Sequence, residues 1–358
     1  MEPYVPKQLK LSNELNPSLI KLLCDAEELY GEYKGFLKSM PYDYKLLLES
    51  LFTIDTYYSF KIDGLKYTKE DMFYIKYMEK DNNVIQFQNM KKSFLYAISN
   101  IYQNEINIDK LNKIHKLMLS NCKKDNLTKG SGNFRKKQTY ILKPGIAGSS
   151  VSFIPPRHTN IKKYMEDLCD YFNKTKDIDL ISTSLTHLEL ERLHPYITAN
   201  GKLGRLLFPV QISAYKKEPP ILFISESLEN LKNSYFTGLS NISETAEESF
   251  IKLVLECVID SCTRNIKRIK KLNKIYTNDL EAFKTAIGGT TIYKVYPSII
   301  KNIVFTTNDI VEETGLHINS VNKVLKKLVE TGYLHKEKKK GTNRVTFTYT
   351  NMLKILTM

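Results

Sequence analysis

Thr186-His-Leu-Glu-Leu-Glu-Arg-Leu-His194-Pro-Tyr-Ile-Thr-Ala-Asn200-Gly-Lys-Leu-Gly-Arg205 is the stretch on which the reading of this chain turns. It reads as a helix ending at a histidine, because Pro195 disfavours helical backbone in the residue before it. A loop at 195–202 holds the turn-forming pair Asn200-Gly201. A second helix at 203–215 then follows, with Lys202 and Arg205 about its first turn. Backbone N–H groups at such a helix start favour anions, and two cations three residues apart face the same way. The spacing therefore suits a phosphate held beside His194, a candidate general base. It is not a Walker loop, since no glycine sits five residues before Gly201. Taken singly, each residue has a plainer reading: a packing histidine, an ordinary turn, a solvated arginine. Gathered within one short stretch, they weigh together toward function.

Outward from there, most segments carry helix-period apolar spacing. Residues 17–38 place Leu19, Leu22, Leu23 and Ala26 on one side, and a stretch from Lys45 ends at Gly64, a candidate helix cap. Residues 69–100, 107–121, 160–174 and 180–194 read as further helices, and a long one is expected from 245 to 276. Gln138–Leu142 and Ser150–Ile154 are short β-prone runs around a Pro/Gly break, which predicts a hairpin.

The charge is uneven. Lys and Arg number 53 against 39 Asp and Glu, a net +14. Residues 263–358 hold 18 basic and 7 acidic side chains, +11, which leaves only +3 for the first 262 residues. Any polyanionic partner is therefore expected at the C-terminal part. With 42% hydrophobic and 26% charged residues, the chain is neither disordered nor fibrous. No apolar run is long enough for a membrane span, and the start has no signal-peptide pattern. Cysteines stand alone at 24, 122, 169, 257 and 262, which fits reduced thiols and argues against a disulfide framework or a zinc site. A cytoplasmic protein is expected.

The last sixty residues have their own pattern. Thr306 to Gly315 is a short capped helix, His317 to Thr331 a second helix with Val321, Val324, Leu325 and Leu328 inward. A basic hairpin follows, through Lys336-Glu-Lys-Lys-Lys-Gly and the alternating Val345-Thr-Phe-Thr-Tyr. This order resembles a winged helix. In that case Lys323, Lys326, Lys327, Lys338, Lys339, Lys340 and Arg344 are candidate DNA-phosphate contacts, and Asn319, Ser320 and Asn322 candidate base readers. The same module also serves dimerisation, giving a homodimer, or target docking.

The central stretch resembles the Fic family signature H-P-F-x-(D/E)-G-N-G-R-x-x-R. His194, Pro195, Asn200, Gly201 and Arg205 match, Tyr196 stands for Phe and Lys202 for the first Arg, and His187 and Glu191 suit the helix before it. Gly132-Asn-Phe-Arg135, Gln138–Leu142 and Phe153-Ile-Pro-Pro156 resemble the family's flap, Lys232-Asn-Ser-Tyr-Phe236 its run near the adenine pocket, and Tyr4-Val-Pro its N-terminal part. The resemblance spans about residues 1–260. It implies transfer of AMP from ATP to a Ser, Thr or Tyr hydroxyl of a target protein. His194 would then be the base, with Asn200, Gly201, Lys202, Gly204, Arg205, Asn233 and Tyr235 around the nucleotide. The family's Mg²⁺-holding acidic residue is Thr198 here and the next glycine is Ala199. Mg²⁺ usually takes at least one carboxylate, so its ligand set is left open. Lys202 keeps a charge but loses the bidentate fork.

The family's inhibitory helix, (S/T)-x-x-x-E-(G/N), resembles Ser59-Phe-Lys-Ile-Asp63-Gly64. Asp63 would pair with Arg205; the plainer reading is an exposed Asp63 before a cap. The expected fold is mainly α: an N-terminal helical region with the inhibitory helix (1–100), a Fic helical core with a β-hairpin flap (101–262), a basic connecting helix (263–300) and a winged helix (301–358). Two functions stand open: an autoinhibited adenylyltransferase, or a weak or inactive Fic-fold nucleotide-binding protein that regulates through DNA.

Overall fold

The computed structural model describes residues 2–7, 9, 16–101, 105–123, 128–142, 150–174, 179–342 and 344–358. Helices α1 (Pro17–Lys38), α2 (Lys45–Ile62), α3 (Asn82–Ile101) and α4 (Ile108–Met118) come first. Strands β1 (Ile141–Leu142) and β2 (Val151–Phe153) pair antiparallel, with Ile141 opposite Phe153 and a bulge before Leu142. The expected break between them, 143–148, lies outside the described residues. Then come α5 (Ile161–Lys174), α6 (Asp179–Leu193), α7 (Asn200–Lys216), α8 (Ser225–Asn230), α9 (Lys232–Ser240) and α10 (Ala246–Ile287). The C-terminal part holds α11 (Thr291–Asn302), β3 (Val304–Phe305), α12 (Thr307–Thr314), α13 (Ile318–Glu330), β4 (Leu334–Glu337), β5 (Thr346–Tyr349) and α14 (Thr350–Thr357). No helix among the described residues is long and apolar enough to cross a membrane.

Two compact units result: Met1–Glu28 with Tyr58–Gly64 and Asp81–Ser261, and Leu29–Tyr57 with Leu65–Lys80 and Cys262–Met358. In the first, α6 is the central helix, buried on every side from Leu180 to Leu193, its polar and charged residues from Ser182 to Arg192 included. Helices α5 and α7 pack on it, and α3 packs on α4 and α7. The outer α5 is amphipathic, burying Ile161, Met165, Leu168, Cys169 and Phe172 at helical spacing.

In the second unit β5 is the middle strand of an antiparallel sheet of order β3-β5-β4, with Leu334 opposite Tyr349 and Val304 opposite Thr348. Sequence alternation predicts one wet face for β5. All four of its residues are buried instead, because Thr348 bonds Tyr74 Oη at 2.7 Å and Tyr349 bonds Tyr296 Oη at 3.0 Å. Helix α12 starts at a capping box: Thr306 accepts from the Asp309 N–H while Asp309 accepts from the Thr306 N–H at 2.7 Å. Gly315 closes it at φ 66.

The expected helix at 69–100 starts only at Asn82. Asp81 Oδ1 accepts the Val84 N–H at 2.7 Å and so caps α3. The residues before it are bound elsewhere. Tyr74 Oη reaches Glu337 at 3.0 Å, Met78 bridges to Thr342, and the Glu79 N–H donates to the Gly341 carbonyl at 3.1 Å. The 195–202 loop ends early as well, since α7 begins at Asn200. Helix α10 runs eleven residues past its expected end, at Ile287 rather than 276, and β3 and α14 are elements that periodicity did not signal.

The Asp309 carboxylate accepts not only from Thr306 but from Tyr77 Oη at 2.5 Å and from Lys76. Thr306→Ala should lower the unfolding free energy by about 1 kcal/mol, the usual worth of an N-cap. Asp309→Ala, which strips several buried donors, should lower it by about 2–3 kcal/mol. Denaturant titration followed by circular dichroism checks both; equal losses would show that the Tyr77 and Lys76 bonds add nothing.

Candidate active site

The turn between α6 and α7 carries two residues in left-handed backbone, His194 at φ 46 and Ala199 at φ 60. Neither is a glycine, so each stays there only if its surroundings hold it. Arg135 supplies much of that hold. It is buried, and it donates to the carbonyls of His194 at 2.9 Å, Lys137 at 3.1 Å and Pro156 at 2.5 Å. Its own N–H donates to the Pro195 carbonyl at 2.8 Å. Burial pushes its pKa down to about 10, which leaves it charged at neutral pH.

His115 fixes the other half. The Gly132 N–H donates to its Nδ1 at 2.9 Å, so Nε2 carries the proton and donates to the Thr198 carbonyl at 3.0 Å. Its ring stacks on Tyr196 with centroids 3.9 Å apart. Burial takes its pKa down to about 4. Gly132 must be glycine: its φ is 75, and a Cβ there would lie 2.9 Å from Lys116 Cβ and 3.0 Å from the Asn112 carbonyl.

Asn200 closes the turn from within. Its Oδ1 accepts the Tyr196 N–H and its Nδ2 donates to the Tyr196 carbonyl, both at 2.9 Å. The first N–H groups of α7 have no intrahelical partner, and no side chain caps them from Ala199. Gly204 faces the other way, toward α6, where a Cβ would meet Glu191 Oε1 at 2.7 Å. Of the sequence candidates, His194, Gly201, Arg205, Asn233, Tyr235 and Asp63 line one pocket of about 840 Å³. Asn200 and Gly204 serve the packing beside it.

His194 lies half-buried in that pocket. Burial pushes its pKa down to about 4, against the opposing Glu191 carbonyl, so its imidazole is neutral at neutral pH. His187, behind it, bonds Tyr235 Oη at 2.9 Å and is likewise neutral, its pKa pushed down by burial to about 3. Burial lifts the Glu191 carboxyl up to about 7 although Arg205 opposes it.

Arg205 is 3% exposed. Its Nε donates to Ser59 Oγ and its Nη2 to the Ser59 carbonyl, both at 2.8 Å, and Nη2 also reaches both Asp63 oxygens at 3.1 and 3.2 Å. Tyr235 lines the pocket beside it. Lys202 Nζ lies 2.9 Å from Asp63 Oδ2 and 4.5 Å from the Phe60 ring centroid. Burial alone would raise the Asp63 carboxyl; Arg205 and then Lys202 outweigh it and hold the pKa below the ordinary range. The short Asp side chain reaches because Asp63 sits on the turn after α2, its N–H donating to the Phe60 carbonyl at 3.0 Å. Gly64 follows at φ 93.

The N-terminal Tyr4 belongs to the same unit. Its N–H donates to the Ile154 carbonyl at 2.8 Å and its hydroxyl to Glu189 at 3.0 Å. In the second unit Lys323, Lys326 and Lys327 are exposed on α13, and Lys338, Lys340 and Arg344 are exposed beyond it. Lys339 differs: it pairs with Asp71 at 3.0 Å and Glu70 at 3.3 Å and lies 4.2 Å from the Tyr74 ring centroid.

Sequence reasoning assigned no role to Arg135 or His115. The Gly132-Asn-Phe-Arg135 motif was a signal for the first; nothing local marks the second. Arg135→Lys keeps a charge but cannot reach three carbonyls from one plane. It should lower the unfolding free energy by about 3 kcal/mol, since buried acceptors lose their donors. His194→Ala, which breaks none of these bonds, should cost under about 1 kcal/mol. Denaturant titration of the two variants compares them, and equal losses would refute the assignment.

Residues 105–212 match the family model described as Fic/DOC family. A Fic family protein from Desulfovibrio desulfuricans superposes on 95% of this chain and 98% of its own, with a TM-score of 0.61 at 16% identity. A Fic domain containing signaling protein from Bacteroides thetaiotaomicron covers 69% of this chain and 97% of its own, at a TM-score of 0.56 and 17% identity. Fic-1 from C. elegans covers 72% and 74%, at 0.51 and 17%. At these identities the likeness is one of fold. Residues 105–212 are a Fic/DOC domain within a mainly helical chain that shares its fold with solved Fic proteins.

Proposed function

We propose that the chain is an autoinhibited protein adenylyltransferase. The observation that carries this reading is the double hold on Arg205 by Ser59 and Asp63 in the pocket that also holds His194. In the reaction, the neutral His194 imidazole takes the proton of a target Ser, Thr or Tyr hydroxyl. The hydroxyl oxygen bonds to the α-phosphorus of ATP, the bond to the bridging oxygen of the β-phosphate breaks, and pyrophosphate leaves. Arg205, Lys202 and the N-terminus of α7 stabilise the phosphate charge. Asn233 and Tyr235 border the nucleotide, and the β1–β2 pair acts as the flap that aligns the target segment.

While Asp63 pairs with both cations, the outer phosphates of ATP cannot take their productive pose, and the site is braked. Mg²⁺ does not fit the residues present. Position 198 is a threonine, Asp63 is held between two cations, and Glu191 lies against Gly204 with its pKa raised. Among the described residues no group of three His, Cys, Asp or Glu could hold a metal. No step of the reaction therefore runs through one.

Asp63→Gly should raise transfer of α-³²P label from ATP to protein by at least about tenfold, the scale of one ionic pair removed. Asp63→Gly/His194→Ala should abolish it. Label that persists in the double variant would remove His194 from the base role, and no gain in the single variant would remove the brake.

A second reading concerns DNA, with the C-terminal part as a winged helix. It is favoured by the exposed polar face of α13 and by a cleft of about 490 Å³ whose lining includes Asn308, Asn322, Lys336 and Arg344. Since Lys339 is already paired, this reading depends on the exposed Lys323, Lys326, Lys327, Lys338, Lys340 and Arg344. Fluorescence anisotropy with duplex DNA should show affinity falling steeply with salt. Lys323→Ala/Lys326→Ala/Arg344→Ala should reduce the log–log slope by about 0.9 for each DNA phosphate no longer neutralised, and His194→Ala should leave it unchanged. A slope near zero in the wild type would exclude this reading.

A further inference from the structure

The disagreement between this pocket and a divalent metal has a consequence for what it binds. We infer that the pocket takes its nucleoside polyphosphate without a divalent cation, by direct exchange of a phosphate group for the Asp63 carboxylate between Lys202 and Arg205. The inference rests on the nucleotide-binding part of the proposed function and goes beyond it in naming the ionic form of the ligand.

The Asp63 carboxylate already shows what the two cations accept. One oxygen lies 2.9 Å from the Lys202 ammonium, the other 3.1 Å from the Arg205 guanidinium. A phosphate group likewise offers two or more charged oxygens to such a pair, and the open N–H groups of the α7 N-terminus add donors for a third. Lys202 and Arg205 are 15% and 2% exposed at the side chain. When Asp63 swings out, two nearly buried positive charges lose their counter-ion at once. Unpaired buried charge is strongly unfavourable, so an anion is the species that restores the balance.

A dication fails on the same count. It would enter beside two fixed positive charges, in surroundings where like charges are poorly screened. Its ligands would have to come from oxygen donors, and those at hand are poorly suited. The Thr198 carbonyl is bonded to His115, and Asn200 is closed on Tyr196. The Glu191 carboxyl also lines the pocket, but its Oε1 packs against Gly204 on α7, 2.7 Å from where a Cβ would stand. Asp63 is the carboxylate that pairs with both cations, and it is the group displaced. Lys202 and Arg205 thus occupy, as protein charge, the role that a metal would fill for the phosphates.

The test is calorimetric titration of ATP into the full chain, in EDTA and in millimolar Mg²⁺, for the wild type, Asp63→Gly and Asp63→Asn. The asparagine variant keeps the side-chain size in case the glycine loosens the turn. In EDTA both variants should bind at least about tenfold tighter than the wild type, and Mg²⁺ should change Kd by less than about threefold. Adding Lys202→Met to either variant should weaken binding in EDTA by about tenfold or more. Tightening of about threefold or more on adding Mg²⁺ would overturn metal-free binding while leaving nucleotide binding standing. An unaffected Lys202→Met variant would overturn the exchange. No ATP binding by properly folded variants in either buffer would overturn the nucleotide reading itself, and this inference with it.

Discussion

A buried guanidinium sets the terms for the first unit. Arg205 is nearly inaccessible, and a charge so placed is tolerable only with a counter-charge and paired donors. The last turn of α2 meets both demands at once, through Ser59 Oγ, the Ser59 carbonyl and the Asp63 carboxylate. The end of α2 is thereby bound to the first turns of α7. Tyr235 on α9 lines the pocket beside that guanidinium and bonds His187 on α6. Four helices thus meet around one positive charge, and the pocket lies at its side.

The second constraint is the turn that presents His194. Two non-glycine residues in left-handed backbone would relax if left alone. Arg135 and His115 hold the carbonyls of His194 and Thr198 from outside the turn, and Asn200 holds Tyr196 from inside. The result is an imidazole at the pocket wall that burial keeps neutral, which is the protonation state a base requires. Support of this kind, from side chains that touch no ligand, is what keeps a site in working geometry.

In the second unit, net charge and usable charge are different quantities. The C-terminal part from residue 263 carries +11, yet part of that is neutralised locally. Lys339 is taken by Glu70 and Asp71, and Lys301 by Glu313 at 2.7 Å. On α13 Lys326 lies 3.9 Å from Glu330, while Lys323 and Lys327 are exposed. A run such as Lys338-Lys339-Lys340 reads as uniform on paper, although its middle member stacks over Tyr74 while its neighbours face solvent.

The residues from His194 to Arg205 made the Fic/DOC domain legible, because its chemistry needs particular residue types at fixed short spacing along the chain. Helices α1, α5 and α13 were legible too, because apolar periodicity is a local property that burial enforces. The sequence by itself also determined the capped start of α12, where Thr306 and Asp309 stand at the required spacing. What it could not decide depends on partners far along the chain. Residues 69–81 have helical spacing but bind the β4–β5 region instead, β5 gave up its threonine face to Tyr74, and α7 could start at Asn200 because His115 and Arg135 hold the turn before it. Whether the short Asp63 reaches Arg205 was likewise a matter of where α2 ends, a distance in space across 142 residues of chain. Local spacing fixes which face a residue presents; only the packing of distant segments fixes what that face meets.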